Sequence, residues 1–145
     1  MLQHTRVGPK RVVIAGCTAT GASVAVALSN RGHSVHILDE EMESFERIPD
    51  SKRESGAIVP VIGDWTLQRD LLKVSIRDAD VFMALSASDT RNALASEIAH
   101  SIFQVPTVVS RIDDPSIQAT YNEIGITAIG SAQIIADMAV EAVIG

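Results

Sequence analysis

RVVIAGCTATGASVAVALSNRGHSVHILD, residues 11–39, carries the pattern that decides the fold. Val12, Val13, Ile14 and Ala15 form an apolar run ending at Gly16, as expected for a strand buried on both faces. Gly21 follows Gly16 by five positions, the spacing of the outer glycines in G-x-G-x-x-G. A helix opening near Thr20 presents N–H groups and a positive dipole end to an anion. A second run, Ser34 to Leu38, closes in Asp39, 18 residues after Gly21. An acid there is placed to accept hydrogen bonds from both ribose hydroxyls of an adenosine. Position 18 is Thr where the motif has its middle glycine, which adds bulk at the phosphate approach and also a hydroxyl able to contact phosphate. The segment is the first half of a mononucleotide-binding βαβ unit. The plainer alternative is a Rossmann fold whose pocket has decayed into a packing module.

The chain has 145 residues, enough for one domain with a proper core. Its residues are 46% hydrophobic but only 3% aromatic, so Val, Ile, Leu and Ala must build the interior, which suits a parallel sheet covered on both faces. A net charge of −6 without a basic stripe argues against nucleic acid as a partner. No apolar stretch approaches the roughly 20 residues of a membrane span, and residues 1–9 have no apolar core, so they read as a flexible leader and not a signal peptide. Cys17 is the only cysteine, which excludes an internal disulfide and fits a reducing cytosol. The expectation is a soluble cytoplasmic protein with one domain over 10–145.

Further along, strands and helices alternate. A polar helical stretch is expected from Glu40 to about Arg53, interrupted at Pro49, then a strand over Ala57 to Ile62. A helix from Thr66 to about Ser75 would turn Leu67, Leu71, Leu72 and Val74 inward. Strand four is expected over Val81 to Leu85, and a helix from Asp89 to Phe103 places Ala93, Leu94, Ile98 and Ile102 at three-four spacing. Thr107 to Ser110 reads as strand five. Asp113 and Asp114 cap a helix opening at Pro115 and stopped by Gly125. Ile126 to Ile129 reads as strand six and Ala132 to Ile144 as a final helix. Six strands and six helices predict a doubly wound α/β sheet of order 3-2-1-4-5-6. The loops after Gly16, Asp39, Ile62 and Leu85 then meet in one crevice at the switch point.

On these residues the chain resembles the RCK, or TrkA-N (KTN), domains that regulate potassium channels and transporters. The likeness is carried by GCTATG with Asp39, GDWT at 63–66, ALSASDTRN at 84–92, SRIDDP at 110–115 and EIGITAIGS at 123–131, nearly the whole chain. It implies a cytosolic regulatory subunit without enzymatic activity. Such a subunit binds NAD(H) or an adenine nucleotide (AMP, ADP or ATP) and gates a membrane-embedded potassium channel or transporter, its place peripheral at the inner face of the membrane. By the resemblance, Gly16, Thr18 and Gly21 fall on the phosphate turn, with Cys17, Ala19 and Thr20 between them, Asp39 on the ribose acid and Asp64, followed by Trp65, on the acid beside the adenine. Glu40, next to Asp39, reads either as part of a solvated helix face or as a second ribose contact. Leu85 and Ser86 fall on the strand-four exit, and Arg111 on a basic position directed to phosphate or to a subunit interface. The final helix takes the place of one that packs on a neighbouring subunit, implying a homo-oligomer, a dimer or higher ring, or assembly with a TrkA-type paralogue.

Three departures stand out. Thr18 and Ala19 replace the Gly-Arg of many relatives, removing a charge-assisted phosphate contact. Trp65 stands where a small residue is usual and either stacks on a purine or packs a helix start. The chain stops after the last helix, so the usual C-terminal ligand domain is expected to be absent. Two other functions are weighed against gating: a scaffold that only pairs with a nucleotide-binding paralogue, and an NAD-dependent oxidoreductase, for which no proton-moving constellation is evident. Cys17 near a helix start admits a redox reading or simple packing of a tight turn. The last helix, with Ile134, Ile135, Met138, Ala139, Ala142 and Val143 on one face, buries that face on a sister subunit or on its own sheet.

Overall fold

The structure, a computed structural model, describes residues 8–145, so the leader expected over 1–9 falls outside it except for its last two positions. Strands β1 (Arg11–Ala15), β2 (Ser34–Asp39), β3 (Ile58–Ile62), β4 (Val81–Ala84), β5 (Thr107–Arg111) and β6 (Thr127–Ile129) form one parallel sheet in the order β3-β2-β1-β4-β5-β6. The register sets Ile14 beside Ile37 on one flank and beside Met83 on the other. Alternation along β1 divides the core in two, as strand geometry requires. Val13 and Ala15 pack with Phe82, Leu71, Ile98 and Val108 on one face. Val12 and Ile14 pack with Ala22, Ala25, Ile37 and Phe45 on the other.

The first crossover helix, α1 (Ala19–Asn30), runs as expected from the glycine turn. The stretch after Asp39 does not. It divides into a 3₁₀ segment, Met42–Arg47, and a short α2 (Asp50–Glu54). Pro49 accounts for the break, because its ring excludes helical geometry at the preceding Ile48, which is extended with ψ 127°. The helix expected over 66–75 shortens to α3 (Gln68–Leu72). Asp64 ties back the Thr66 N–H at 2.8 Å before the helix starts, and Ser75 turns left-handed with φ 57° after it. Leu71 and Val74 are buried as expected, whereas Leu67 and Leu72 face outward.

Helix α4 (Asp89–Glu97) passes into a π-helical turn over Ile98–Ile102. Its apolar residues are not all on the inner face: Leu94 is 46% and Ile102 53% exposed, while Asn92, Ala95, Ser96 and Ala99 are buried. Small side chains there let the helix lie close on β4 and β5, and the wider π turn rotates the residues after it out of step. Helix α5 (Pro115–Glu123) is capped by Asp114, which accepts from the Ser116 N–H at 2.9 Å. Helix α6 (Ser131–Ile144) ends the chain with no buried residue. Of the two placements weighed for its apolar face, packing on its own sheet is not observed, since Ile135 and Met138 are 66% and 69% exposed.

Candidate functional site

The carboxyl ends of β1, β2 and β4 meet where the strand order reverses, and Gly16 lets them approach. Its φ is +100°, and a Cβ there would lie 2.9 Å from the Ser86 backbone. Gly21 plays the matching part for α1, where a Cβ would fall 2.0 Å from the Gly16 carbonyl oxygen. Both glycines are therefore required by close backbone contact.

Asp39 is buried at the end of β2 and is held on both sides. Its Oδ2 accepts from the Cys17 N–H and its Oδ1 from the Glu41 N–H, each at 2.8 Å. A carboxylate offers about four lone-pair sites, so two acceptor positions remain for hydroxyl donors. Thr18 occupies the middle of the turn as the N-cap of α1. Its Oγ1 accepts from the Gly21 N–H at 3.1 Å and donates to the Leu85 carbonyl at 3.1 Å. The hydroxyl thus stitches the turn to the end of β4, and only the Ala19 and Thr20 N–H groups lack a helical partner by α-helix geometry. Arg47 reaches the same turn from the 3₁₀ segment, donating to the Cys17 carbonyl at 3.1 Å.

The Cys17 thiol is buried and contacts the Ser44 carbonyl oxygen at 3.3 Å. Burial, reinforced by the Asp39 charge and opposed by Arg47, pushes its pKa up to about 11. The thiol therefore stays protonated at neutral pH, and the redox reading loses its physical basis.

On the β3 side the chain places a group that the sequence reading passed over. Arg91, in the first turn of α4, pairs with Glu40 Oε1 at 2.5 Å and Asp64 Oδ1 at 2.8 Å. Its guanidinium carbon lies 4.0 Å from the Trp65 ring centroid. Trp65 packs its other contacts into the core with Val13, Leu38 and Leu71, and its Nε1 is buried without a partner. Burial on its own would raise the Asp64 pKa, but hydrogen bonds from Thr66 and from Arg91 outweigh it and hold the carboxyl below the usual range. The same two partners, Asp64 and Glu40, overcome burial at Arg91 and raise its pKa.

Asn92, fully buried, ties the strand exits together. Its Oδ1 accepts from the Ser86 N–H at 3.1 Å and the Ser86 hydroxyl at 2.6 Å, and its Nδ2 donates to the Ser86 and Arg111 carbonyls at 2.9 Å each. The Asp113-Asp114 pair divides its work. Asp114 caps α5, but Asp113 caps α6, accepting from the Ser131 N–H at 2.7 Å and the Ser131 hydroxyl at 2.9 Å.

The predicted residues therefore fall into four places. Gly16, Cys17, Thr18, Gly21, Asp39, Leu85 and Ser86 converge at the switch point, and Glu40, Asp64 and Trp65 gather beside them around Arg91. Ala19 turns away into a groove shared with Arg47. Thr20 and Arg111 face an apolar cavity of about 340 Å³ with Leu85, Ile129, Ile134 and Ile135. Arg111 approaches Asp113 only to 4.0 Å, and its Nε is buried without a partner.

A doubly wound parallel sheet with a glycine turn and a fixed acid at the neighbouring strand exit defines a Rossmann-type domain. The sequence profile of the TrkA-N domain matches residues 12–132, and the chain belongs to that family. It is 34% identical over 127 residues to the Trk system potassium uptake protein TrkA of Streptomyces coelicolor, covering 87% of this chain and 55% of that protein. The chain thus spans about half the length of the curated relatives it matches. Among solved structures, the TrkA-N domain of the Escherichia coli inner membrane protein ybaL superposes with a TM-score of 0.78 at 13% identity, over 92% of this chain and 96% of that one. The GsuK channel bound to NAD superposes with a TM-score of 0.65 at 17% identity, over 88% and 22%. At such identities the structural likeness establishes the shared fold.

Proposed function

We propose that this chain is a regulatory module of a potassium uptake system that binds an adenosine-containing nucleotide, AMP, ADP, ATP or NAD(H), in the crevice over Gly16 and Asp39. The observation that carries the reading is the fixed Asp39 carboxylate. Two backbone N–H groups set its orientation, and the acceptor capacity left to it suits the ribose hydroxyls that an acid at this strand exit receives in nucleotide-binding Rossmann folds. Arg47 brings a positive charge to a turn that lacks the arginine of many relatives. The kinship with potassium uptake proteins and the NAD in the GsuK channel support the same direction.

The module works without chemistry. Tyr121, the only tyrosine, sits on α5 with its hydroxyl directed to the Ala93 carbonyl at 3.4 Å, and burial pushes its pKa up to about 12. A group so placed moves no proton in the crevice. Occupancy instead acts by differential affinity: a nucleotide that prefers one arrangement of subunits shifts an existing equilibrium toward it. The exposed face of α6 is the surface through which a sister subunit senses that arrangement, in a cytosolic assembly beneath a membrane-embedded partner.

Titration calorimetry with AMP, ADP, ATP, NAD and NADH tests the reading, with saturable binding of at least one expected. A second reading rests on Thr18, whose hydroxyl already fills both of its roles at the helix start. On that reading the chain is a scaffold for a nucleotide-binding paralogue, and none of the five compounds binds.

A further inference from the structure

We propose that Arg91 is an internal competitor for the base of the nucleotide and sets the affinity of the crevice; the inference rests on the nucleotide reading above. Asp39 pairs in register with Ile62, so the Glu40 side chain and the Asp64-Trp65 turn leave the sheet side by side. A ribose held at Asp39 delivers its base to that neighbourhood, because consecutive residues lie only about 3.8 Å apart. The groups that would receive the base there are a flat indole and two carboxylates. In this structure all three are taken by one side chain.

The guanidinium is a chemical counterpart of the base it displaces. It is planar and lies 4.0 Å from the indole centroid, stacking distance for an aromatic ring. Its N–H groups satisfy Glu40 and Asp64, the acceptors open to the exocyclic amine of a purine. Arg91 comes from α4 and crosses to the exits of β2 and β3, so it spans the crevice. Its side chain is one-third exposed, which leaves it a path outward to solvent. Binding of a base therefore exchanges one stacked, doubly paired group for another, and the ligand keeps only the difference. The competition falls only on compounds that bring a base: a ribose alone, held at Asp39, leaves the Arg91 pairs with Glu40 and Asp64 in place.

The test uses adenosine, which is uncharged, so that deleting a cation does not alter attraction to a phosphate. Calorimetry is run on the wild-type chain and on Arg91→Ala, with circular dichroism to check the fold. Arg91→Ala is expected to bind adenosine about tenfold more tightly, roughly 1.4 kcal/mol, and to bind ribose no better than wild type. Raising salt from about 0.05 to 0.5 M screens half-exposed ion pairs, so adenosine affinity should rise with salt in the wild type and stay level in Arg91→Ala. Trp65 is the only tryptophan, and its emission reports the exchange directly. Equal or weaker adenosine binding by Arg91→Ala overturns the inference while leaving the nucleotide reading standing. Failure of both proteins to bind adenosine and every nucleotide overturns both.

Discussion

The two flanks of the switch point are finished in opposite ways. Toward β3, side chains from three strand exits close on one another and on nearby backbone: Asp39 takes two backbone N–H groups, and Arg91 takes Glu40, Asp64 and the face of Trp65. Toward β6, Ile134 and Ile135 overhang an apolar cavity, and among the described residues none buries the outer face of α6. Polar groups at a buried strand exit must be satisfied internally or by a ligand, since a lost partner costs about 1–3 kcal/mol. Apolar surface tolerates exposure more cheaply and waits for another surface to cover it. One flank is thus closed by internal hydrogen bonds and ion pairs, while the other is left apolar and exposed.

The most severe break in this contrast is Gly21→Ala. With its new Cβ 2.0 Å from the Gly16 oxygen, α1 must withdraw from the turn, at an expected cost of about 4 kcal/mol or more in urea denaturation. A wild-type midpoint would mean that the helix can back away freely. Asn92→Ala strips partners from the Ser86 N–H and from two carbonyls, and a loss of about 3 kcal/mol is expected in the same assay.

Asp39→Asn bears on ligand more than on fold. Affinity for whichever nucleotide binds should fall about 10- to 100-fold, the worth of hydrogen bonds to a charged acceptor. Asp39→Ala is a poorer probe, because it also abandons the Cys17 and Glu41 N–H groups. Unchanged calorimetric affinity in Asp39→Asn removes this acid from the site.

On the open flank, Ile135→Asp with Met138→Asp should leave monomer stability within about 0.5 kcal/mol. Sedimentation velocity should show self-association lost. A large fall in stability would instead place this face against the chain's own core. The mildest test concerns pH. Ser131 and Ser116 hydroxyls hold the Asp113 and Asp114 carboxyls below the usual range. A depressed folded pKa gives stability that is present above the unfolded value, about 3.9, and lost as pH falls through the folded one. Asp113→Asn should therefore show a shallower acid-side decline than wild type in thermal melts, and an identical decline would rule out a charge-dependent cap.

The sheet order could be read because each strand is a bounded apolar run and each crossover is short. The glycine turn and Asp39 could be read because their spacing follows from local geometry. What escaped was non-local. Arg91 meets partners 27 and 51 positions away, and nothing in DTRN foretells them. The inner face of α4 was misjudged because three-four spacing favours Leu94, whereas close packing on the sheet favours Asn92, Ala95 and Ser96. Asp113 and Asp114 looked like one cap because they are adjacent in sequence. Their oxygens in fact serve two helices.

Helix α4 carries a further consequence. Its first four residues hold Arg91, which grips the exits of β2 and β3; Asn92, which grips those of β4 and β5; and Asp89, whose Oδ2 accepts from the Asp113 N–H at 2.8 Å. Asp113 in turn anchors the start of α6. A single helical turn therefore works as a lever with the crevice at one end and the outward-facing helix at the other. On the proposal that a ligand frees Arg91, a tilt of α4 would pass to the exposed face of α6 through two short hydrogen bonds without any strand having to slide.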